Sequence, residues 1–543
     1  RYIGYFLKGA ERLTDEFLSF RCRDPKSELY GGIPEDIINV KPTVYRLTTS
    51  LSAYLYEGGR YYHDEGLLAA IDEGIEFVGR NQRESGLFDY PVCNFHSAAD
   101  TSFCLKRLID AYLLMEKYGG GERLSALIEK YRNIIRKAAL GVTTGGFHTP
   151  NHRWAIAAAL LRTANIFAAD TEFAGKLRER AEMYLSEGVD CDADGEYSER
   201  STGNYNAVVN RALIDIYEAT GDGKYIEYVC RNLDMMLHYI ERDGTIFTES
   251  STRQDRGRRI YADKYFYQFL YAASSGMALP EYACEFDAAA HKLISDASAR
   301  GDMAPDCLFF LMLHNRALSH SFEGCGFLPE YRKFFGESGI LRAANKKYSL
   351  TVMKGSSSFV HFAAGDLKIT VKIAESICEV RNFIPKDIEC RSDGCLLSGV
   401  TDDWYYLPRG VPTEAFDNAS RERMIADRLK TTVDVCEGEN GIELLIKAEG
   451  LDRVPIRCEI CVSPGTGISN DCISFYAWEN GDALFHSGHL DLSGWGHTVR
   501  LEGGFCEHEF KGHYSGEEPR GGSFVIFANA YTPTEKRLSL KVL

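Results

Sequence analysis

Residues 151–167 read NHRWAIAAALLRTANIF, a run long enough for several helical turns and apolar on nearly every face. A helix of that kind is stable only when other helices wrap it, so the stretch predicts a buried inner helix. Similar segments recur: VYRLTTSLSAYLY from Val44, SAADTSFCLKRLIDAYLLM from Ser97, NYNAVVNRALIDIYEAT from Asn204 and RRIYADKYFYQFLYAAS from Arg258. Successive starts lie 53, 54, 53 and 54 residues apart. Between them fall more charged, amphipathic segments such as GERLSALIEKYRNIIRKAA and DGKYIEYVCRNLDMMLHYI. A fixed period that alternates an apolar helix with an amphipathic one describes stacked α-hairpins, with an inner ring of apolar helices and an outer ring of amphipathic ones. An (α/α) toroid is the architecture expected, in preference to an open superhelix.

Beyond about Gly339 the texture changes. Short alternating runs follow one another, YSLTVMKG, SSFVHFAAG, LKITVKIA, TTVDVCEG, GIELLIKAEG, ISFYAWENG and GSFVIFANAY, separated by turn residues. That pattern predicts an antiparallel β-sandwich. The chain is therefore expected to be an α+β multidomain protein, with a toroid over 1–335 and a sandwich over 336–543. Its 543 residues exceed what one hydrophobic core holds, which agrees with two domains.

Composition narrows the function classes. Charged residues make up 26% and hydrophobic ones 45%, ordinary for a folded globular chain rather than a disordered one. No run of about 18 apolar residues is present, so no membrane partner is expected. The net charge of −16 opposes polyanions at long range, which excludes nucleic acid as the expected partner while leaving room for a local cationic cleft. The 16 cysteines are scattered from Cys22 to Cys506, which predicts reduced thiols and a cytoplasmic location. The alternative is a secreted or periplasmic protein whose leader has been removed.

In a hairpin array, whatever precedes each inner helix gathers on one rim. Those positions carry Asn94, Phe95 and His96; then His148, Asn151, His152, Arg153 and Trp154; then Glu199, Arg200, Asn204, Tyr205 and Asn206; then Arg253, Gln254, Asp255, Arg256, Arg258 and Arg259. Taken singly, Asn151 and Asn204 read as helix caps, the histidines as turn residues, and the arginines as a solvated face. Polar, aromatic and cationic groups at the same phase in four consecutive repeats instead predict a cleft for an acidic ligand. Helix N-termini add their own attraction for anions.

At NHRW and at DGEYSERSTGNYN the chain resembles polysaccharide lyases of the heparinase II/III-like superfamily. The resemblance covers the helical part and becomes diffuse in the strand-rich part. It implies a toroid joined to a β-sandwich, acting on uronic-acid glycans. It also implies an Asn-His pair at the start of one inner helix, here Asn151 and His152, with a catalytic Tyr one hairpin later, here Tyr205. Many relatives place a His and a nearby Asp in the sandwich, where they complete the site or hold a divalent metal. That motif is not found here; His361 with Asp366 comes nearest, then His486 and His489. No cofactor or metal is assigned on that basis.

Such lyases remove the C5 proton of a uronate and expel the C4 oxygen. The proton is weakly acidic beside a carboxylate, so that charge must first be neutralised. Asn151 and His152 are assigned to this task, with Arg200 and Arg253 assisting. Tyr205 is the expected base and acid, helped if neighbouring cations lower its pKa from about 10. His96 is a candidate partner base; His148 and Glu199 are expected in substrate binding, and Trp154 and Phe95 to offer flat faces to a sugar ring.

A glycoside hydrolase on the same scaffold would need paired carboxylates in the cleft, for which Asp100, Glu199 and Asp255 are at rim phase. A non-catalytic binder of acidic glycans is the third reading. Other motifs carry less. Asp190, Asp192 and Asp194 imitate the opening of a calcium loop, but Ser201 stands where a bidentate Glu is required. Cys458 and Cys461 form a CxxC without a second pair, so structural thiols are expected. No phosphate loop, nucleotide fingerprint or GxSxG elbow occurs.

Overall fold

The computed structural model describes residues 2–119, 122–276, 283–324, 326–328, 330–377, 380–408, 421–513 and 517–543. They divide into two compact units, Arg1–Phe327 and Leu328–Leu543. The division precedes the expected 335/336 because Tyr331–Phe335 already pairs as a strand.

The first unit is helical. It runs through α1 (Tyr2–Phe20), α2 (Val40–Leu55), α3 (Glu65–Arg80), a small hairpin of β1 (Phe88–Tyr90) and β2 (Asn94–Ser97), then α4 (Ala98–Tyr118) and α5 (Ser125–Val142). It continues through α6 (Pro150–Ile166), α7 (Thr171–Leu185), α8 (Tyr205–Thr220), α9 (Lys224–Leu237), α10 (Phe266–Ser274), α11 (Ala283–Arg300), α12 (Leu308–Leu313) and α13 (Asn315–Ser319). The apolar repeats are α2, α4, α6, α8 and α10. α2 packs on α4, α4 on α6 and α6 on α8, and each of the five packs on the amphipathic helix that succeeds it. In α6 the residues Trp154–Leu160 are all buried. Its partner α7 buries only a stripe of Phe173, Ala174, Leu177, Ala181, Tyr184 and Leu185, the pattern of a helix with one solvent face.

Two of the expected starts shift. α2 begins at Val40, ahead of Val44, with Asn39 capping the Lys41 amide. α10 begins only at Phe266, because Tyr261 bridges to Thr245 and Ala262–Tyr265 forms a short 3-10 turn.

Charged side chains stitch the inner helices together. Arg162 on α6 and Arg211 on α8 both donate to Asp110 on α4, at 2.7 Å and 2.9 Å. Arg211 also donates to Asp215 at 3.0 Å, and Lys106 lies 3.6 Å from the same carboxylate. All five side chains are buried or nearly so. Burial would raise the Asp215 carboxyl, but Arg162, Arg211 and Lys106 outweigh it and hold it at about 2. Burial lowers the Lys106 ammonium to about 8 in spite of Asp215.

The second unit contains β3 (Tyr331–Phe335), β4 (Ile340–Ala344), β5 (Ser349–Met353), β6 (Val360–Ala364), β7 (Leu367–Ile377), β8 (Val380–Asn382), β9 (Asp387–Arg391), β10 (Gly394–Tyr406) and β11 (Arg423–Gly438). After these come β12 (Gly441–Glu449), β13 (Pro455–Val462), β14 (Gly467–Ser469), β15 (Ser474–Tyr476), β16 (Asp482–Leu484), β17 (His489–Gly494), β18 (His497–Glu502), β19 (Phe524–Tyr531) and β20 (Thr534–Val542). One nine-stranded sheet has the order β15-β14-β17-β18-β20-β12-β11-β10-β9, and the other β16-β19-β13-β7-β6-β5-β4-β3, with β8 added beside β7. Side chains from both sheets, among them Val352, Phe362, Val371 and Ile460 from one and Leu397, Val433, Leu444 and Leu501 from the other, form a single core. The pairing is antiparallel except between β16 and β19, which run parallel. Cys458, buried, and Cys461, half-buried, lie in β13 and are free. Cys284 is disulfide-bonded, so the expectation of uniformly reduced thiols fails at that position.

Removing one member of a buried ion cluster strands the opposite charge, at a cost of about 3–5 kcal/mol. Asp110→Ala is therefore expected to lower the urea midpoint of the helical unit by that equivalent. Glu16→Ala, which removes an exposed pair with Arg12, should change stability by less than about 1 kcal/mol.

Candidate functional site

The starts of α2, α4, α6 and α8 carry the polar groups singled out in the sequence. At α6, Thr149 occupies the cap position and Pro150 the first turn, so Asn151 is not a cap. It is buried, and its amide nitrogen donates to Glu199 at 2.8 Å and 3.0 Å and to the Thr149 hydroxyl at 3.0 Å. Its backbone N–H also reaches Glu199, at 3.3 Å. Both amide protons are thereby committed inward, and Oδ1 is a buried acceptor without a hydrogen-bond partner. Donation from Asn151 to a ligand carboxylate, as expected from the sequence, does not fit this geometry. Glu199, buried behind it, is an anchor for the first turn of α6 rather than a sugar contact.

His152 follows on the accessible side. Its Nδ1 accepts the His148 backbone N–H at 3.3 Å, which assigns the ring proton to Nε2 in the neutral tautomer. Burial lowers the His152 pKa below 6.5; Asp100 opposes this, and His148, Lys41 and Arg253 add to it. The imidazole is thus neutral near pH 7 and offers one N–H donor. Phe103 of α4 packs edge-on against it, with ring centroids 5.9 Å apart.

At α8 the turn preceding the helix is tied to the loop before α10. Thr252 donates its hydroxyl to the Glu199 carbonyl at 2.8 Å and its N–H to the Arg200 carbonyl at 3.0 Å. Asp255 is buried and accepts from Ser201 Oγ at 2.8 Å, Gly203 N at 2.9 Å and Ser251 Oγ at 2.7 Å. Arg200 has a left-handed backbone, φ 45°, and is half-buried with Nε lacking a hydrogen-bond partner. These latches present Arg253 to Tyr205, the first residue of α8, with the guanidinium 5.2 Å from the ring centroid. Tyr205 is half-buried, and its N–H is held by Ser201 Oγ at 3.1 Å. Arg253 also lies within electrostatic reach of His152. The fold therefore brings His152, Arg253 and Tyr205 to one rim, with Asn151 and Glu199 directly behind.

Other expectations are redistributed. Trp154 is fully buried and donates its Nε1–H to Asp190 at 3.2 Å, so it is a core residue and offers no face to a sugar. Phe95 is 64% exposed and retains that capacity. His96 is exposed in a left-handed conformation, φ 49°; its N–H donates to Asp89 at 2.8 Å and its ring faces Ser85. Among the described residues it makes no hydrogen bond to His152, Asn151 or Tyr205. Asn204 precedes α8 without capping it and accepts from Lys264 at 3.2 Å. Asp100 is likewise engaged, with Ser97, Asn94 and Lys41. Asp100, Glu199 and Asp255, the carboxylates that hydrolysis would need, are thus all buried and hydrogen-bonded.

Sequence reasoning missed Lys41. It stands in the first turn of α2, over the rings of Tyr90 at 5.0 Å and Phe103 at 5.1 Å, 3.6 Å from Asp100. Its phase matches the other rim positions, but reading the first repeat from Val44 left it outside. In the second unit both nitrogens of His361 are hydrogen-bonded, Nε2 to the Ser358 carbonyl and Nδ1 to Thr370. Among the described residues no group of three His, Cys, Asp or Glu converges as a metal site. No set of described residues fits the divalent ion that the resemblance raised. No described helix is long and apolar enough to cross a membrane.

No family model matches the sequence, and no curated protein matches it. Solved structures do. A xanthan lyase of Paenibacillus superposes with TM-score 0.60 at 10% identity, over 100% of this chain and 55% of that one. This chain thus spans about half the length of that lyase. A chondroitin AC lyase of Streptomyces coelicolor A3, solved with chondroitin sulphate, gives 0.55 at 11% over 100% of this chain and 77% of that one. A heparinase III gives 0.56 at 12% over 98% and 84%. The chain has the fold of these polysaccharide lyases.

Asp255 distinguishes a latch from a catalytic acid. Asp255→Ala breaks three hydrogen bonds to a buried carboxylate and is expected to destabilise the helical unit by about 2 kcal/mol or more. A solvent-facing catalytic carboxylate would leave the unfolding midpoint unchanged.

Proposed function

We propose that this protein is a polysaccharide lyase that cleaves 4-linked uronic-acid glycans by β-elimination, in a cleft on the rim of a helical toroid. The observation that carries the reading is Arg253, which lies over Tyr205 and within electrostatic reach of His152. The lyase fold supports it. His152 Nε2–H and Arg253 together bind the uronate carboxylate, which lowers the cost of placing negative charge on C5. Arg200 adds positive charge at the same turn.

Tyr205, as phenolate, takes the C5 proton. The electron pair of the C5–H bond becomes the C4–C5 double bond, the C4–O4 bond breaks, and the phenol returns its proton to O4. The guanidinium against the ring stands where charge changes during these steps. Asn151, clamped by Glu199, holds the first turn of α6 and so aims His152; this replaces its expected role as a direct donor. Phe95 is the exposed ring on which a flanking sugar lies. Lys41 extends the cationic surface to the start of α2. His96 and His148 take supporting positions at the edge. The ligand class follows as an acidic oligosaccharide or polysaccharide.

The unsaturated product absorbs near the ultraviolet edge, whereas a hydrolysis product does not. Incubation with chondroitin, heparan sulfate, hyaluronan, alginate, glucuronan and xanthan fragments is expected to raise absorbance with at least one. Tyr205→Phe should lower turnover by about 10²–10⁴-fold while leaving glycan binding within about threefold, as judged by calorimetry. Release of reducing ends without absorbance would overturn the lyase reading, and binding without turnover on any of these glycans would favour a binding protein.

His152 also predicts a pH dependence. Protonation at Nδ1 would set two donors against each other at the His148 N–H, so activity should fall on acidification with a midpoint below 6.5, the ordinary value from which burial lowers this group. The acid limb should be absent from the residual rate of His152→Asn. An unchanged limb in that variant would remove His152 from the site.

A further inference from the structure

In the second unit, Cys390 on β9 and Cys395 on β10 are directly opposite in an antiparallel hairpin, and their sulfurs are 3.0 Å apart. Directly opposed residues in such a pair have Cα atoms roughly 4.5–5.5 Å apart. A disulfide needs roughly 4.4–6.8 Å. The backbone is therefore already placed for a bond, and only a small side-chain rotation separates the two thiols from it. Two surface residues, Ser392 and Asp393, connect the strands, and β9 is the outer strand of its sheet among the described residues.

The two sulfurs differ in environment. Cys395 is buried, whereas Cys390 is half-buried with exposed Glu389 beside it. Arg332 of β3, itself paired with Glu437 at 2.9 Å, donates to the Cys390 sulfur at 3.7 Å. Elsewhere in the same unit, Cys458 and Cys461 are three positions apart on one strand, so their side chains leave opposite faces and cannot meet. Proximity at Cys390 and Cys395 is thus a property of this hairpin, not of cysteine abundance.

We propose that Cys390 and Cys395 are a reversible dithiol–disulfide site that locks the β9–β10 hairpin in response to disulfide oxidants such as glutathione disulfide. Cys390, as thiolate, attacks one sulfur of glutathione disulfide, forming a mixed disulfide and expelling one glutathione thiolate. Cys395 then attacks the Cys390 sulfur and expels the second. Two protein thiols lose two protons and two electrons, and one glutathione disulfide becomes two glutathione thiols. The closed bridge crosses the hairpin next to its turn and pins β9, the outer strand of its sheet among the described residues.

Trypsin cuts after Lys386 and Arg391, which separates the two cysteines into peptides 387–391 and 392–409. After treatment of the full chain with glutathione disulfide and alkylation, mass spectrometry should find these peptides joined with the loss of two hydrogens. Dithiothreitol should restore two alkylatable thiols at the same positions. Cys395→Ser should instead accumulate a glutathione adduct on Cys390, a second readout that does not depend on the bridge forming. Full alkylation of both cysteines after oxidation would overturn the proposal, and so would a glutathione adduct on Cys390 that persists in the unaltered chain. The result is independent of glycan cleavage, so its failure leaves the lyase reading standing.

Discussion

Asp110 and Asp215, shared between Arg162, Arg211 and Lys106, set the axial register of α4, α6 and α8. Apolar packing alone would not. The Ala-rich face of α6 is smooth, and neighbouring helices could slide along it by a turn with little loss of buried area. A buried carboxylate that must meet guanidinium groups from two further helices admits one register, since any other leaves charge unpaired at a cost of several kcal/mol. Because the rim groups sit at or just before the helix starts, that register decides whether they meet.

A second layer of fixed polar contacts translates register into a site. Glu199 clamps Asn151, Thr252 ties the following turn to the loop before α10, and Asp255 collects three donors across the same junction. None of these groups needs to touch a ligand. Their effect is to leave His152, Arg253 and Tyr205 as the side chains with unspent capacity, held on backbone that cannot easily relax. The same economy explains why the three rim carboxylates are poor candidates for hydrolysis: each is already engaged by buried donors or by Lys41.

Several elements were legible before any coordinates. The 53- and 54-residue spacing located the inner helices, and the change of texture near Gly339 located the strands. Errors arose at element ends. The apolar character of VYRLTTSL begins at Val44, yet Asn39 caps the helix earlier and draws Lys41 into the rim. Trp154 carries a flat apolar face and lies close to His152 in the sequence. One residue along an α-helix is a rotation of about 100°, and that rotation turns it into the core.

The sequence by itself determined the repeat, the alternation of buried and half-buried helices, the strand-rich second unit and the phase at which polar groups precede the inner helices. These follow from periodicity, a local property of the chain. Only the tertiary structure decided which of those groups remain free. Whether Asn151 faces a ligand or Glu199, whether Asp255 is a latch, and whether Arg253 covers Tyr205 all depend on contacts between residues about fifty positions apart. Each such polar group takes the partner that satisfies it once water is excluded, and no local pattern encodes that choice.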